Sequence, residues 1–164
     1  MRIAFAGAHR TGKTSLVQAL AGALPAYTAL DEPYHVLEEE GHDDPGFEQQ
    51  LARSLAMIAE SPPNALVDRS PLDFVAYLGV TEGDAIEADD LRAAMEAIDL
   101  IVLVPIEAPD RIAVPASEDR KLRSAVDEAL ATLVLDDHYG FGTEVLEVHG
   151  TLDARVQQVL ARIR

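Results

Sequence analysis

Gly7-Ala8-His9-Arg10-Thr11-Gly12-Lys13-Thr14 has the spacing GxxxxGK[ST], and the chemistry of that pattern is the cradling of a polyphosphate. Glycines let the backbone wrap so that amide N–H groups and a helix N-terminus face the negative charge. Lys13 would reach the β and γ phosphates, and the Thr14 hydroxyl would meet Mg²⁺. Gly7, His9, Arg10, Thr11, Gly12, Lys13, Thr14 and the adjoining Ser15 are therefore the candidate nucleotide-binding residues. His9 reads as a loop residue rather than a catalyst, because the backbone does the cradling. With 10 Gly, 2 Lys and 13 Ser plus Thr in 164 residues, random order would give the pattern in roughly one such chain in two thousand, so chance is a poor explanation.

A phosphate loop alone does not separate a GTPase, a motor ATPase and a kinase. The only lysines are Lys13 and Lys121, and Lys121 is followed by Leu122-Arg123-Ser124, so no NKxD guanine-reading element exists. A motor would want an apolar strand ending in paired acids, whereas Ala65-Leu66-Val67-Asp68 ends in one acid followed by Arg69. The remaining chemistry-bearing residues are Asp31-Glu32, Asp68-Arg69 and the basic group Arg120, Lys121 and Arg123. The five His show no metal-ligand spacing, so no protein-cage metal site is expected.

Positioning these groups requires an alternation of strands and helices. Apolar runs at Ile3–Ala6, Tyr27–Leu30, Ala65–Val67, Leu100–Val104 and Val145–Val148 predict five strands. Helical periodicity is expected from Lys13 to about Leu24, from about Phe47 to Ala59, after Pro71, over Leu91–Ile98, from Asp119 to about Leu135 and over Leu152–Ile163, with a shorter helix near His35. Such alternation predicts one α/β domain, a five-stranded parallel sheet with helices on both faces, spanning residues 1–164. The phosphate loop, Asp31-Glu32 and Asp68-Arg69 all follow strands, where such sheets bind ligands.

Composition narrows the setting. Apolar residues make up 48% of the chain and charged residues 26%, which describes a globular protein with a real core. A net charge of −16 argues against nucleic acid or an anionic membrane as partner. There is no cysteine, which removes disulfides and thiolate chemistry and suits a reducing compartment. No apolar run approaches membrane-spanning length, so a soluble protein in the cytoplasm is expected. From Asp31 to Ala52 there are eight acidic residues and no basic one. They read as a solvated acidic face or as a site for a cationic or amine-bearing acceptor. Tyr34, His35, Phe47, Phe74 and Tyr77 could stack on a flat ring, although Phe74 and Tyr77 read equally well as core.

The segment Asp68-Arg69-Ser70-Pro71-Leu72-Asp73-Phe74-Val75-Ala76-Tyr77 resembles the DR motif of thymidylate kinases, in which Ala-Tyr follows Asp-Arg at this spacing, and the ERS motif of deoxynucleoside kinases. Asp31-Glu32-Pro33 resembles the Glu-Pro pair of both families. Over residues 1 to about 80 the chain is thus similar to the nucleoside and nucleotide kinases of the P-loop superfamily. The resemblance implies a three-layer P-loop NTPase fold with strand order 2-3-1-4-5. It departs where Ser70 stands in place of an aromatic and Asp73 in place of a serine, so substrate identity does not carry over.

The resemblance implies roles. Glu32 is the base for an acceptor hydroxyl, or a positioning group if the acceptor is a phosphate; Asp31 could exchange roles with it, and Glu32 could equally be a helix N-terminal acid. Asp68 joins Thr14 in holding Mg²⁺, or merely pairs with Arg69 at the surface. Arg69 would sit over the acceptor or the transferring phosphoryl group, where its planar fork matches phosphate oxygens. A segment at about 109–123 resembles the lid that closes over ATP; Arg120 and Arg123, three apart on a helix, could both reach a phosphate, or could belong to an exposed helix balanced by Glu118, Asp119 and Asp127. Arg111 is a weaker lid candidate.

The expectation is a Mg²⁺- and ATP-dependent kinase with Lys13, Glu32, Arg69, Arg120 and Arg123 as catalytic residues. Its acceptor is a small nucleoside, nucleotide or nucleoside-like metabolite carrying a hydroxyl or a phosphate. The related kinases are often dimers, so a homodimer is among the implications. Two rivals keep the phosphate loop: an ATPase or regulatory switch without an acceptor, and a nucleotide-binding subunit whose acidic face docks a basic protein.

Overall fold

The computed structural model describes residues 1–164. The apolar runs form β1 (Arg2–Ala6), β2 (Thr28–Leu30), β3 (Ala65–Asp68), β4 (Leu100–Leu103) and β5 (Glu144–Glu147). All pair in parallel, in the order β2-β3-β1-β4-β5, with Ile3 opposite Leu66 on one side and Leu100 on the other. The expected three-layer α/β architecture and strand order are the observed ones. β3 and β4 are buried at every position because both faces of a central parallel strand are covered.

Side chains alternate between two cores, as the two-residue period of a strand dictates. Ile3, Phe5, Leu66, Leu100 and Val102 meet α1 (Lys13–Ala23) and α7 (Leu152–Ile163) through Leu16, Leu20 and Val159. Ala4, Ala6, Val67, Ile101 and Leu103 belong to the larger core on the opposite face. That face is covered by α3 (Phe47–Glu60), α4 (Pro71–Thr81), α5 (Ala88–Ala97) and α6 (Arg120–Val134), while α2 (Pro33–Glu39) packs beside α3.

α4 lies between α3 and α6 and is buried from Pro71 through Leu78, which accounts for its apolar character on all sides. It begins immediately after the site turn: the Ser70 hydroxyl accepts the Leu72 amide at 3.2 Å and Pro71 supplies the first helical residue. α6 is started by Asp119, whose carboxylate accepts the Lys121 and Leu122 amides at 3.0 Å each. α5 starts at Ala88 rather than at Leu91, since its first turn is polar, with Asp89 and Asp90 complementing the helix dipole, and shows no apolar periodicity. β5 sits one residue earlier than Val145–Val148. No helix is long and apolar enough to cross a membrane.

The carboxyl ends of β1, β2 and β3 converge, and α6 is held beside them by Val126, Leu130 and Val134 in the larger core. Leu130→Ala should cost about 2–4 kcal/mol, the loss expected where a buried leucine leaves a cavity, measured by urea denaturation. An unchanged midpoint would show that this contact does not hold α6.

Candidate active site

The loop between β1 and α1 approaches the sheet closely. A Cβ on Gly7 would lie 2.5 Å from the carbonyl oxygen of Val104, so only glycine fits, and Gly12 adopts the left-handed φ of 96°. Arg10 is also left-handed, with φ 57°. Five successive carbonyls of this loop are each met by a side-chain donor. Lys13 Nζ lies 2.6 Å from both Gly7 O and Ala8 O. Arg123 donates from Nε to His9 O at 2.8 Å and from Nη2 to Arg10 O at 3.1 Å. Arg155 donates from Nη1 to Thr11 O at 2.6 Å. The Gly7 and His9 amides donate to Asp73 and Tyr77, and the remaining loop amides make an anion nest at the start of α1. The nest opens on a cavity of about 290 Å³ formed by residues 9–15 with Glu32, Arg69 and Ile112.

The turn after β3 supplies the second group. Asp68 is 3% exposed and its Oδ1 has no partner in the chain. Arg69 takes a left-handed φ of 80°, a costly conformation for a residue with a side chain. Its guanidinium is 4% exposed, lies against Phe74 and Tyr77, and brings Nε to 3.6 Å from Glu32 Oε1, while Nη1 is unpaired. Arg69 thus pairs with Glu32 in the interior of the site rather than with Asp68 at the surface. The Thr14 hydroxyl lies 3.4 Å from the same Glu32 oxygen.

Asp31 and Glu32 separate cleanly. Asp31 Oδ1 accepts the Glu32 amide at 2.7 Å and lies 3.3 Å from His35 Nδ1, so it is folded onto its own turn with His35. Glu32 makes no side-chain cap for α2 and faces Thr14 and Arg69. Phe74 is core, and Tyr77 is core with its hydroxyl accepting the His9 amide at 3.1 Å. Tyr34 and Phe47 line a neighbouring cavity of about 410 Å³ that shares His9, Glu32 and Arg69 with the first.

Electrostatics follow from this crowding. Burial, with Arg69 and then Lys13 nearby, pushes the His9 imidazole down to about 3, so it is neutral near pH 7. Burial pushes the Lys13 ammonium down to about 8 and the adjacent Asp73 carboxyl up to about 7, each charge partly offsetting the other's desolvation. Asp73 accepts the Gly7 amide at 3.3 Å and keeps Oδ2 unpaired. Burial also raises Asp68, opposed by the Thr14 hydroxyl. Every buried basic residue of the chain, Lys13, Arg69, Arg123 and Arg155, is in this site, as are both buried acids, Asp68 and Asp73. Charges are rarely buried without partners or a task.

The basic residues of α6 divide. Arg123 is 5% exposed, committed to the loop carbonyls and 2.8 Å from Asp110 Oδ1; Arg120 is exposed and 4.0 Å from Asp110. Although three apart, they do not share an environment, because Arg123 follows the buried stripe of Val126 and Leu130 while Arg120 opens the first turn. Arg111 and Ile112 border a third cavity of about 410 Å³ with Ser15, Thr151 and Leu152.

Sequence reasoning missed Arg155 and Glu107. Glu107 accepts Arg155 at 2.5 Å and the Gly150 amide at 3.0 Å, so the post-β4 loop, α7 and the phosphate loop form one network. An arginine at a buried helix position, with Val159 one turn on, was the available signal. The chemistry of the donor set fits a phosphate-bound Mg²⁺: no cluster of three His, Asp or Glu forms a cage, but such an ion keeps water and phosphate ligands and needs one or two carboxylates, and Asp68 has an unpaired oxygen beside Thr14.

Residues 2–155 match the sequence profile of the family described as an AAA domain, and the chain belongs to that family. Its fold is similar to that of several solved structures, nucleoside and nucleotide kinases among them. The deoxyadenosine kinase from M. mycoides with dCMP and a flexible dCDP bound is 13% identical, with 99% of this chain and 98% of that one covered at a TM-score of 0.66. Thymidylate kinase from Candida albicans is 13% identical, with coverage of 99% and 90% and a TM-score of 0.64. The YorR protein of Bacillus subtilis, in complex with phosphorylated GDP, is 11% identical, with coverage of 99% and 95% and a TM-score of 0.67. At these identities the shared property is the fold of P-loop nucleoside and nucleotide kinases. Among curated proteins no match to the sequence is found.

Neutral His9 has a consequence for acid stability. Its proton is refused in the folded state down to about pH 3 but accepted by the unfolded chain from about pH 6.5. Between those values the unfolded state binds more protons, so stability falls as pH falls. His9→Asn should flatten this limb, closing a gap on the order of 1 kcal/mol between pH 7 and pH 5 after allowance for partial exposure. Parallel melting curves of the two proteins across that range would refute it.

Proposed function

We infer that the chain is a phosphotransferase that moves the γ-phosphoryl group of ATP to a small nucleoside- or nucleotide-like acceptor. One observation carries this reading: the phosphate cavity and the neighbouring cavity of about 410 Å³ share a wall made of His9, Glu32 and Arg69. An ATPase attacking its substrate with water has no use for a second cavity of that size beside Arg69, and a docking subunit has no use for buried catalytic charge.

Each residue then has a task. The amides of residues 10–14 and the Lys13 ammonium bind the β and γ phosphates, while Ser15, Arg111, Ile112, Thr151 and Leu152 border the donor base. Thr14 and Asp68 hold Mg²⁺, which neutralises phosphate charge when bound. Arg69, with Nη1 free and its fork on the shared wall, stabilises the charge on the transferring group. Glu32 accepts the proton of an acceptor hydroxyl as the oxygen–phosphorus bond forms and the bond from the γ phosphorus to the ADP oxygen breaks. Arg123 and Arg155 hold the loop in shape from behind. Within the proposed lid at 109–123, Asp110 and Arg123 stay anchored to the loop, and Arg120 is the arginine free to move onto phosphate.

The test is ADP release from Mg·ATP, alone and with nucleosides, nucleoside monophosphates and related hydroxyl-bearing metabolites. Acceptor-dependent ADP is expected, with Lys13→Ala lowering it at least about 100-fold while leaving the melting transition in place. Release that no acceptor stimulates would overturn the reading in favour of an ATPase. Glu32→Gln should preserve ATP binding and slow transfer to a hydroxyl by about 10²–10⁴. Full activity in that variant would remove Glu32 from the role of base.

A further inference from the structure

We propose that the acceptor cavity selects a molecule without a phosphate, a neutral or cationic nucleoside-like compound that receives the phosphoryl group on a hydroxyl. The inference rests on the phosphotransferase reading and narrows its acceptor.

The charges around the cavity carry it. Its anions are Glu32 and Asp44, and its only permanently charged cation is Arg69. That guanidinium is already 3.6 Å from Glu32 and also faces the phosphate cavity, where the transferring group claims it. His9 offers no second cation, being neutral at physiological pH. No Lys or Arg occurs between Asp31 and Ala52, the stretch that forms most of the wall. The next basic residue, Arg53, is turned to Glu40 at 2.7 Å and to Glu60 at 4.0 Å. A nucleoside monophosphate brings about two negative charges and needs a counter-charge of its own. Here those charges would meet Glu32, Asp44 and an acidic surround with nothing to pair with.

The rest of the lining suits an uncharged ring. Phe47 stacks on Tyr77 at 4.5 Å, Tyr34 also lines the cavity with its hydroxyl 3.4 Å from Asp44, and Gln50 is buried with its amide donating to Pro45 O at 2.8 Å. Flat aromatic walls and an amide recognise a base through stacking and neutral hydrogen bonds. Asp44, in a left-handed turn with φ 46°, holds its carboxylate at the rim. A positive charge on the acceptor would be attracted there.

Calorimetric titration of the full chain with adenosine, guanosine, cytidine, uridine and thymidine, and with the 5′-monophosphate of each, tests this. At low salt at least one nucleoside is expected to bind at least about tenfold more tightly than its monophosphate, and the gap should shrink at high salt as charges are screened. Asp44→Asn, a residue equally at ease in the left-handed turn, should narrow the gap by strengthening monophosphate binding. A monophosphate that binds as well as its nucleoside or better, a gap indifferent to both salt and Asp44→Asn, or binding of neither class would overturn the proposal. ADP release separates the two readings. A nucleoside that binds with the expected preference but is not phosphorylated defeats the phosphotransferase reading alone, whereas rapid phosphorylation of monophosphates in preference to nucleosides defeats this one alone.

Discussion

The carbonyl side of the Gly7–Thr14 loop is the constraint on which the site depends. A loop that presents consecutive amides to an anion must turn the matching carbonyls the other way, into the protein, where each needs a donor. Lys13 supplies two of those donors locally, and Arg123 and Arg155 supply the rest from α6 and α7. Two helices distant in sequence are therefore fixed relative to β1 by charge-assisted bonds to the backbone. Their own charges are answered in turn, Arg123 by Asp110 and Arg155 by Glu107. The loop after β4 brings those two carboxylates within reach.

Burying this much charge is unfavourable unless something is gained elsewhere. The unpaired atoms are informative in that respect: Asp68 Oδ1, Arg69 Nη1 and Asp73 Oδ2 are orphaned within the turn and helix that face the loop. A structure optimised for stability alone would have paired or removed them. The left-handed backbone at Arg69 adds strain in the same turn. Strain, orphaned polar atoms and shifted titrations thus coincide in this turn and the helix that follows it.

What was legible in the sequence was local. The phosphate-loop spacing, the strand runs and the Ser70-Pro71 helix start are determined within a few residues, and the alternation of strand and helix leaves few topologies. The division of labour between Asp31 and Glu32 was not legible. It depends on which carboxylate the turn folds back onto the Glu32 amide, and both lie within two residues of Pro33. The different fates of Arg120 and Arg123 were hidden for a related reason: helical spacing puts them near one another, but only the packing of Val126 and Leu130 decides which is driven under the loop. Arg155 meets Thr11 from 144 residues away, a pairing that no local pattern encodes.

The overall charge and the local site pull in opposite directions. At −16 the chain repels anionic nucleotides at long range, yet the cradle concentrates four buried cations. Long-range repulsion is screened by salt, whereas buried charge in a low-dielectric site is screened much less. Affinity for a polyphosphate therefore has to come from short-range geometry, from amides already aimed by the arginines behind them, rather than from a broad basic surface. The acceptor side lacks even that local reversal, since its one guanidinium is shared with the phosphate cavity and paired with Glu32. The two halves of the cleft thus differ in electrostatic character across a wall only a few side chains thick, an asymmetry that, on the proposed reading, would orient a charged donor and an uncharged acceptor toward the same phosphoryl group.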